Sequence, residues 1–314
     1  MARLRDVGIN ILLVVSALAA TFLMLEGFFR VYLGSNLDYT YDNNSWYLKP
    51  SQTGFTTPDP RSEATINRFG FRGDYNTSEP AVVVLGDSLT FGYCLPDNET
   101  LPYRLEQRLE ERYGCSVEVV NAGVPGYGVQ QMIELYDRRF SGYPGRYVVL
   151  SIIRPDILRQ KEDNPYTARK RIARRLIRRS SFLAFMKPRL DILRQFVTGK
   201  QQLMDARFDQ YLPQDKQRIA RFARRLEQQN KTLILHVWAH RPNRSAFYDE
   251  MARFAAQEDI TIIGNHYPTI MAEYGGDRSA LLCSDGHPSG TYTDLIAGEL
   301  DSFFRQRLRP HCTS

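Results

Sequence analysis

Cysteine is scarce in this 314-residue chain: four stand at Cys94, Cys115, Cys283 and Cys312, and none has the CxxC or Cys/His spacing that holds a structural metal. That argues against a zinc-finger-type site and leaves disulfides open if the chain sits in an oxidising compartment. Internal repeats at solenoid-like periods and low-complexity segments are also missing, which argues against repeat arrays and disordered scaffolds. A strong charge imbalance is absent too, since 41 Lys and Arg against 35 Asp and Glu leave +6. The basic residues match no nucleic-acid recognition module, so no nucleic-acid partner is expected. With 43% hydrophobic and 24% charged residues, the chain has the composition of an ordinary globular protein, and one large domain with small appendages is expected.

There is one long hydrophobic run. VGINILLVVSALAATFLML, from Val7 to Leu25, nearly crosses a bilayer core of about 30 Å at roughly 1.5 Å per residue. Arg3 and Arg5 precede it, and Glu26 and Arg30 cancel after it. The positive-inside bias therefore keeps the N-terminus cytoplasmic and sends the rest outside, to the periplasmic or extracellular side. The expected division is a transmembrane anchor over 1–30, a connector over 31–66 and a catalytic domain over 67–314. The alternative is a cleaved signal peptide, because Ala17-Leu18-Ala19 resembles a cleavage site; apolar residues continuing to Leu25 favour the uncleaved anchor.

Beyond the connector, which is polar, aromatic and proline-containing, short apolar runs alternate with helical patterns. Strands are expected at 81–85, 117–120, 147–153, 232–237 and 260–263, and helices at 97–113, 130–140 and 213–229. Strands alternating with helices predict a three-layer α/β/α sandwich around a parallel sheet of about five strands. Between the third and fourth strands lies an insertion over about 158–212 containing ARKRIARRLIRRSSFLAFMKPRLDILRQF. Apolar residues interleave with arginines there, as on amphipathic helices with cationic faces. It reads as a helical cap with a solvated outer face, or, given the tether, as a surface for anionic lipid headgroups or an anionic substrate.

The strongest signal follows the first strand: Gly86-Asp87-Ser88-Leu89-Thr90-Phe91-Gly92. A serine there stands at the carboxyl edge of a parallel sheet, where open α/β folds place their ligands. Serine is a poor nucleophile at its own pKa and needs an imidazole to take its proton and a third group to orient that imidazole. Asp285-Gly286-His287, after the last strand, supplies a candidate pair. His236, His240 and His266 also lie near strand ends and read as structural histidines. Cys94 and Cys283 flank these two motifs, either bridging near the site or buried as small side chains.

With these residues in this order, the sequence resembles the SGNH or GDSL-type hydrolase superfamily over about Asn67 to Phe304. The resemblance implies a flavodoxin-like SGNH fold with Ser88 as nucleophile and its N–H in an oxyanion hole. Asn121-Ala122-Gly123-Val124-Pro125-Gly126-Tyr127-Gly128 matches the second block and implies a second oxyanion N–H from Gly126. His287 would be the general base and Asp285 its partner, two residues before it rather than the commoner three. Tyr93 and Tyr127 are candidates to line an acyl or sugar pocket, with core packing as the alternative; Asp87 and Asn121 join them as candidate substrate contacts. The third block departs from the family: Pro155 stands where an asparagine precedes the aspartate. Proline has neither a side-chain amide nor an N–H, and losing one oxyanion donor costs about 100- to 1000-fold in turnover. Either Arg154 reaches into the hole, or the enzyme is slow or acts on an activated acyl group. The resulting expectation is a serine esterase, hydrolysing or transferring a short acyl group such as acetyl on a cell-surface polysaccharide. Glycan or lipid esters are the substrate classes, with no metal and no organic cofactor. A lipid or lysophospholipid esterase, and an inactive glycan-binding relative, are the alternatives.

Overall fold

The computed structural model describes residues 2–33, 37–42, 45–55, 62–74, 81–143, 145–160, 180–183, 185–186, 201–238, 245–264, 272, 274–275, 277, 279–305 and 307–308. Helix α1 (Ala2–Leu33) opens the chain. Its Gly8–Val31 segment has a mean hydropathy of 2.3 and none of it is buried, so by length and composition it can cross a membrane.

Five strands form the domain: β5 (Val82–Gly86), β6 (Val119–Gly123), β7 (Tyr147–Ile152), β8 (Thr232–Val237) and β9 (Thr261–Gly264). They pair in parallel in the order β6-β5-β7-β8-β9, as the alternating pattern predicts. β5 is apolar on both faces because helices cover both. Val83 and Leu85 face one core with Met132 of α4 (Val129–Arg139), Ile219 of α6 (Gln201–Gln228) and Met251 of α7 (Ser245–Gln257). Val82 and Val84 face the other, with Leu105 of α3 (Leu101–Tyr113) and Ile296 of α8 (Gly290–Phe304). The chain leaves β5 for β6 on one side and then crosses to β7 on the other. Open α/β folds place their ligands at such a reversal, here at the carboxyl ends of β5 and β7.

Three features differ from the sequence reading. The connector carries two antiparallel hairpins, β1 (Tyr39–Asp42) with β2 (Ser45–Leu48) and β3 (Gln52–Phe55) with β4 (Glu63–Ile66). Trp46, Leu48, Ala64 and Ile66 are buried, and Arg72 bridges the second hairpin to β6 through Ile66 and Asn121. Pro213, expected to open a helix, lies inside α6. Most of the basic insertion, 161–179, 184 and 187–200, lies outside the described residues, but Ser180, Ser181, Phe182 and Phe185 meet α1. Glu26 accepts hydrogen bonds from Ser180 Oγ at 2.6 Å and from the Ser181 and Phe182 N–H groups at 3.1 and 3.2 Å. Phe29 packs against Phe182 and Phe185.

Candidate active site

The candidate groups gather on loops at the carboxyl ends of the strands. β5 ends at Gly86 and the chain turns at once into α2 (Ser88–Phe91), so Ser88 opens a helical turn at the sheet edge. Asp87 caps it, its Oδ1 accepting the Leu89 N–H at 2.9 Å. The Ser88 N–H is among the first-turn donors that a helix cannot use internally.

The turn 283–287 closes on itself: the Cys283 N–H donates to the His287 carbonyl at 2.8 Å and the Gly286 N–H to the Cys283 carbonyl at 2.9 Å. It presents His287 Nε2 3.0 Å from Ser88 Oγ. On the other side of the ring, Asp285 Oδ2 lies 3.1 Å from Nδ1. That is a close ion-pair distance, although the oxygen stands off the line of an Nδ1–H bond, so the pair is near but not aligned. Asp285 Oδ1 accepts the His287 N–H at 3.0 Å. Burial alone would raise the Asp285 carboxyl; the His287 ring and the N–H groups of the turn outweigh it and hold it below the ordinary carboxylate range. Tyr93 lays its ring on His287, centroids 5.0 Å apart. Cys94, next to Tyr93, is disulfide-bonded to Cys283.

β6 leads into the second loop. Gly126 has φ +84°, a left-handed conformation strained for any side chain, and a Cβ there would lie 3.3 Å from the Trp46 ring. Trp46 braces this loop, its Nε1 donating to the Pro125 carbonyl at 3.0 Å while its own carbonyl accepts the Tyr127 hydroxyl. At Gly123 a Cβ would lie 2.3 Å from the Phe91 nitrogen, so α2 rests directly on the β6 backbone.

The third loop follows β7. Pro155 sits in the first turn of α5 (Arg154–Ile157), and the Arg154 guanidinium lies over the Phe208 ring at 4.2 Å. Just after α5, Arg159 Nη1 donates to Asp87 Oδ2 at 2.8 Å, Asp156 Oδ1 at 2.6 Å and the Tyr127 carbonyl at 3.2 Å. Burial drives the Asp156 carboxyl well above its usual range and the nearby Asp87 adds to this, against the pull of Arg159. One guanidinium thus ties together the loops after β5, β6 and β7. A serine beside an imidazole, with a carboxylate behind it, can accept and return a proton during acyl transfer.

The sequence model of the GDSL-like lipase/acylhydrolase family matches residues 84–291, from β5 into the start of α8. The chain belongs to that family. Among solved structures, this GDSL hydrolase is similar to a lipase/acylhydrolase from Enterococcus faecalis, at 18% identity and TM-score 0.45 over 74% of this chain and 100% of that one. It is also similar to the psychrotrophic esterase EstA from Pseudoalteromonas, at 14% identity and TM-score 0.44 over 72% and 96%. A two-domain esterase active on acetylated mannans is similar at 14% identity and TM-score 0.42 over 76% of this chain and 53% of that one. No curated protein matches the chain.

In this GDSL hydrolase Ser88, His287, Asp285 and Tyr93 come together, and Gly126 stands in the neighbouring loop. Three candidate substrate contacts are corrected. Asp87, Asn121 and Tyr127 are 1%, 2% and 0% exposed. Asp87 caps α2, Asn121 accepts the Gly123 N–H at 3.1 Å, and Tyr127 holds Trp46, so all three brace loops and leave no surface for substrate. His236 is buried with its Nδ1 2.8 Å from Ser151 Oγ, inside the sheet; His240 and His266 lie outside the described residues. The sequence reading missed Arg159, which stands at the start of an arginine-rich insertion and has no local feature to separate it from its neighbours. Cys94, Cys283 and Asp285 lie close enough to share a metal ion, but sulfurs bonded to each other are not thiolate ligands. A cavity of about 410 Å³ is lined by Lys216, Arg221 and Arg224 of α6 and by Phe254 and Glu258, with none of the groups above.

Proposed function

We propose that Ser88, His287 and Asp285 form the catalytic triad of an ester hydrolase or acyltransferase acting on a short acyl ester, such as acetyl on a polysaccharide, outside the cytoplasm. The observation that carries the triad is the 3.0 Å contact between Ser88 Oγ and His287 Nε2 at the crevice of the sheet. In this reading Oγ attacks the ester carbonyl and His287 takes its proton, while Asp285 orients the ring and stabilises the imidazolium. The N–H groups of Ser88 and Gly126 receive the oxyanion. Collapse expels the alkoxide, which takes the proton from His287 and leaves an acyl-serine. Water or a sugar hydroxyl then attacks with His287 again as base. The short-acyl preference rests on the family resemblance; the outward location rests on the Arg3 and Arg5 flank of the apolar helix.

Pro155 favours a second reading, a weakly active or inactive glycan-binding relative. Release of p-nitrophenol from acetyl to long-chain esters separates the two. Under the first reading Ser88→Ala and His287→Ala each lower kcat by about 10,000-fold or more, and Asp285→Asn by about 100- to 10,000-fold. Absence of turnover together with absence of fluorophosphonate labelling at Ser88 decides for binding.

A further inference from the structure

The two halves of the proposed triad come from opposite ends of the domain, 199 residues apart in sequence. The Ser88 half is held by one guanidinium. Arg72, 1% exposed, donates to the Phe91, Gly92 and Leu95 carbonyls at 2.9, 2.7 and 2.6 Å, and to Asp97 at 2.7 Å. The guanidinium therefore holds the whole 91–95 turn, including Cys94, whose φ is +69°. The His287 half is a small turn, closed on itself between Cys283 and His287, with Asp285 a third exposed at its tip. Between the halves runs the Cys94–Cys283 disulfide. It joins the clamped turn to the base of the turn that carries the imidazole. The Pro288 carbonyl lies 3.8 and 3.7 Å from the two sulfurs, so the residue following His287 packs on the bridge itself.

We infer that the Cys94–Cys283 disulfide is a positioning element of the active site, which holds His287 in register with Ser88 and makes turnover depend on the oxidation state of the pair. The inference rests on the triad proposed above. With the bridge open, the turn keeps its internal hydrogen bonds but loses its covalent attachment to the Arg72-clamped segment. The 3.0 Å contact then becomes one conformation among several, and small misplacements of a catalytic group lower the rate steeply. Opening is a two-electron step: a dithiol reductant breaks the S–S bond, Cys94 and Cys283 each gain an electron and a proton, and the dithiol closes to its cyclic disulfide.

The test uses the full chain in detergent, with p-nitrophenyl acetate as substrate and a chelator present, because the freed thiolates and Asp285 stand close enough to capture a trace metal. Oxidised protein, dithiol-treated protein and the Cys94→Ala/Cys283→Ala variant are compared for kcat, KM, fluorophosphonate labelling and circular dichroism. The variant retains the disulfide of Cys115, so an effect common to it and to the reduced protein belongs to the 94–283 bridge. The expected result is a kcat lowered about 10- to 100-fold in both, KM changed less than about twofold, near-native circular dichroism, and recovery on reoxidation of the wild type alone. Unchanged kcat in the variant overturns the inference, as does a loss of kcat that follows a loss of folded protein. Inactivity of the oxidised wild type would instead refute the triad.

Discussion

Arg159 is the residue on which three loops converge. Its Nη1 reaches Asp87 under the nucleophile turn, Asp156 after β7 and the Tyr127 carbonyl beside Gly126. Removing one partner from a buried charge cluster leaves the others uncompensated, at a cost of about 3 kcal/mol or more. Arg159→Met is therefore expected to lower both thermal stability and kcat. Adding Asp156→Asn removes one of the two acids that Arg159 holds and is expected to recover part of the stability but not the turnover, since the α2 turn stays unbraced. Equal recovery of Tm and kcat would assign Arg159 to stability alone. Pro155 acquires a context here. The third loop offers no asparagine amide to the site, and its polar contribution runs instead through Arg159 to the backbone of the other two loops. Arg154, a candidate oxyanion donor from sequence, lies on the Phe208 ring of α6.

At the scale of elements, α3 and the residue that leads into β6 carry a titrating pair. Burial pushes the Glu106 and Glu118 carboxyls up to about 7 from an ordinary 4.5; Glu106 accepts the Val119 N–H at 2.8 Å, and Glu118 Oε1 is buried without a partner. Between pH 4.5 and 7 the folded chain holds protons that the unfolded chain has released. Stability therefore falls as pH rises through that window and levels off above it. Glu106→Gln keeps the acceptor without the charge. It is expected to leave Tm unchanged at pH 5 and raise it by about 2–4 °C at pH 8, as differential scanning calorimetry in the two buffers would record.

The strands were legible because β5, β7 and β8 are apolar on both faces, a pattern that local composition carries. The Ser88 and Asp285-Gly286-His287 motifs were legible because each sits where a strand or helix boundary is also encoded. The hairpins were not, since β1 and β3 are four residues long and polar. Their burial comes from long-range partners such as Trp46 on Gly126, which no local pattern encodes. The bracing roles of Asp87, Asn121 and Tyr127 were hidden for the same reason: a polar residue inside a motif looks the same in sequence whether it faces the crevice or the core.

At the scale of the whole molecule, the family match over 84–291 is narrower than the unit that builds the site. Arg72 clamps the 91–95 turn and Trp46 braces the Gly126 loop, and both lie before residue 84. A chain beginning at Leu37 is expected to keep the full protein's kcat. One beginning at Asn67, where the sequence alone would place the domain boundary, is expected to lose about tenfold or more as the Gly126 loop loses its brace. Equal turnover from the two shortened chains would reduce the hairpins to packing.

The contact of Glu26 with Ser180, Ser181 and Phe182 gives the N-terminal helix a partner beyond its own turn. A domain joined to a membrane helix by a single connection can turn in any direction within the reach of that connection. A second point of contact is made where the carboxylate receives Ser180, Ser181 and Phe182. With α1 in a bilayer, that second point lies one helical turn from Arg30, close to the water boundary. Because Phe22, Glu26 and Phe29 all follow Ala17-Leu18-Ala19, a cut at that site would leave this contact in the mature chain. Whichever way the leader is processed, the helix keeps the residues that meet Ser180, Ser181 and Phe182.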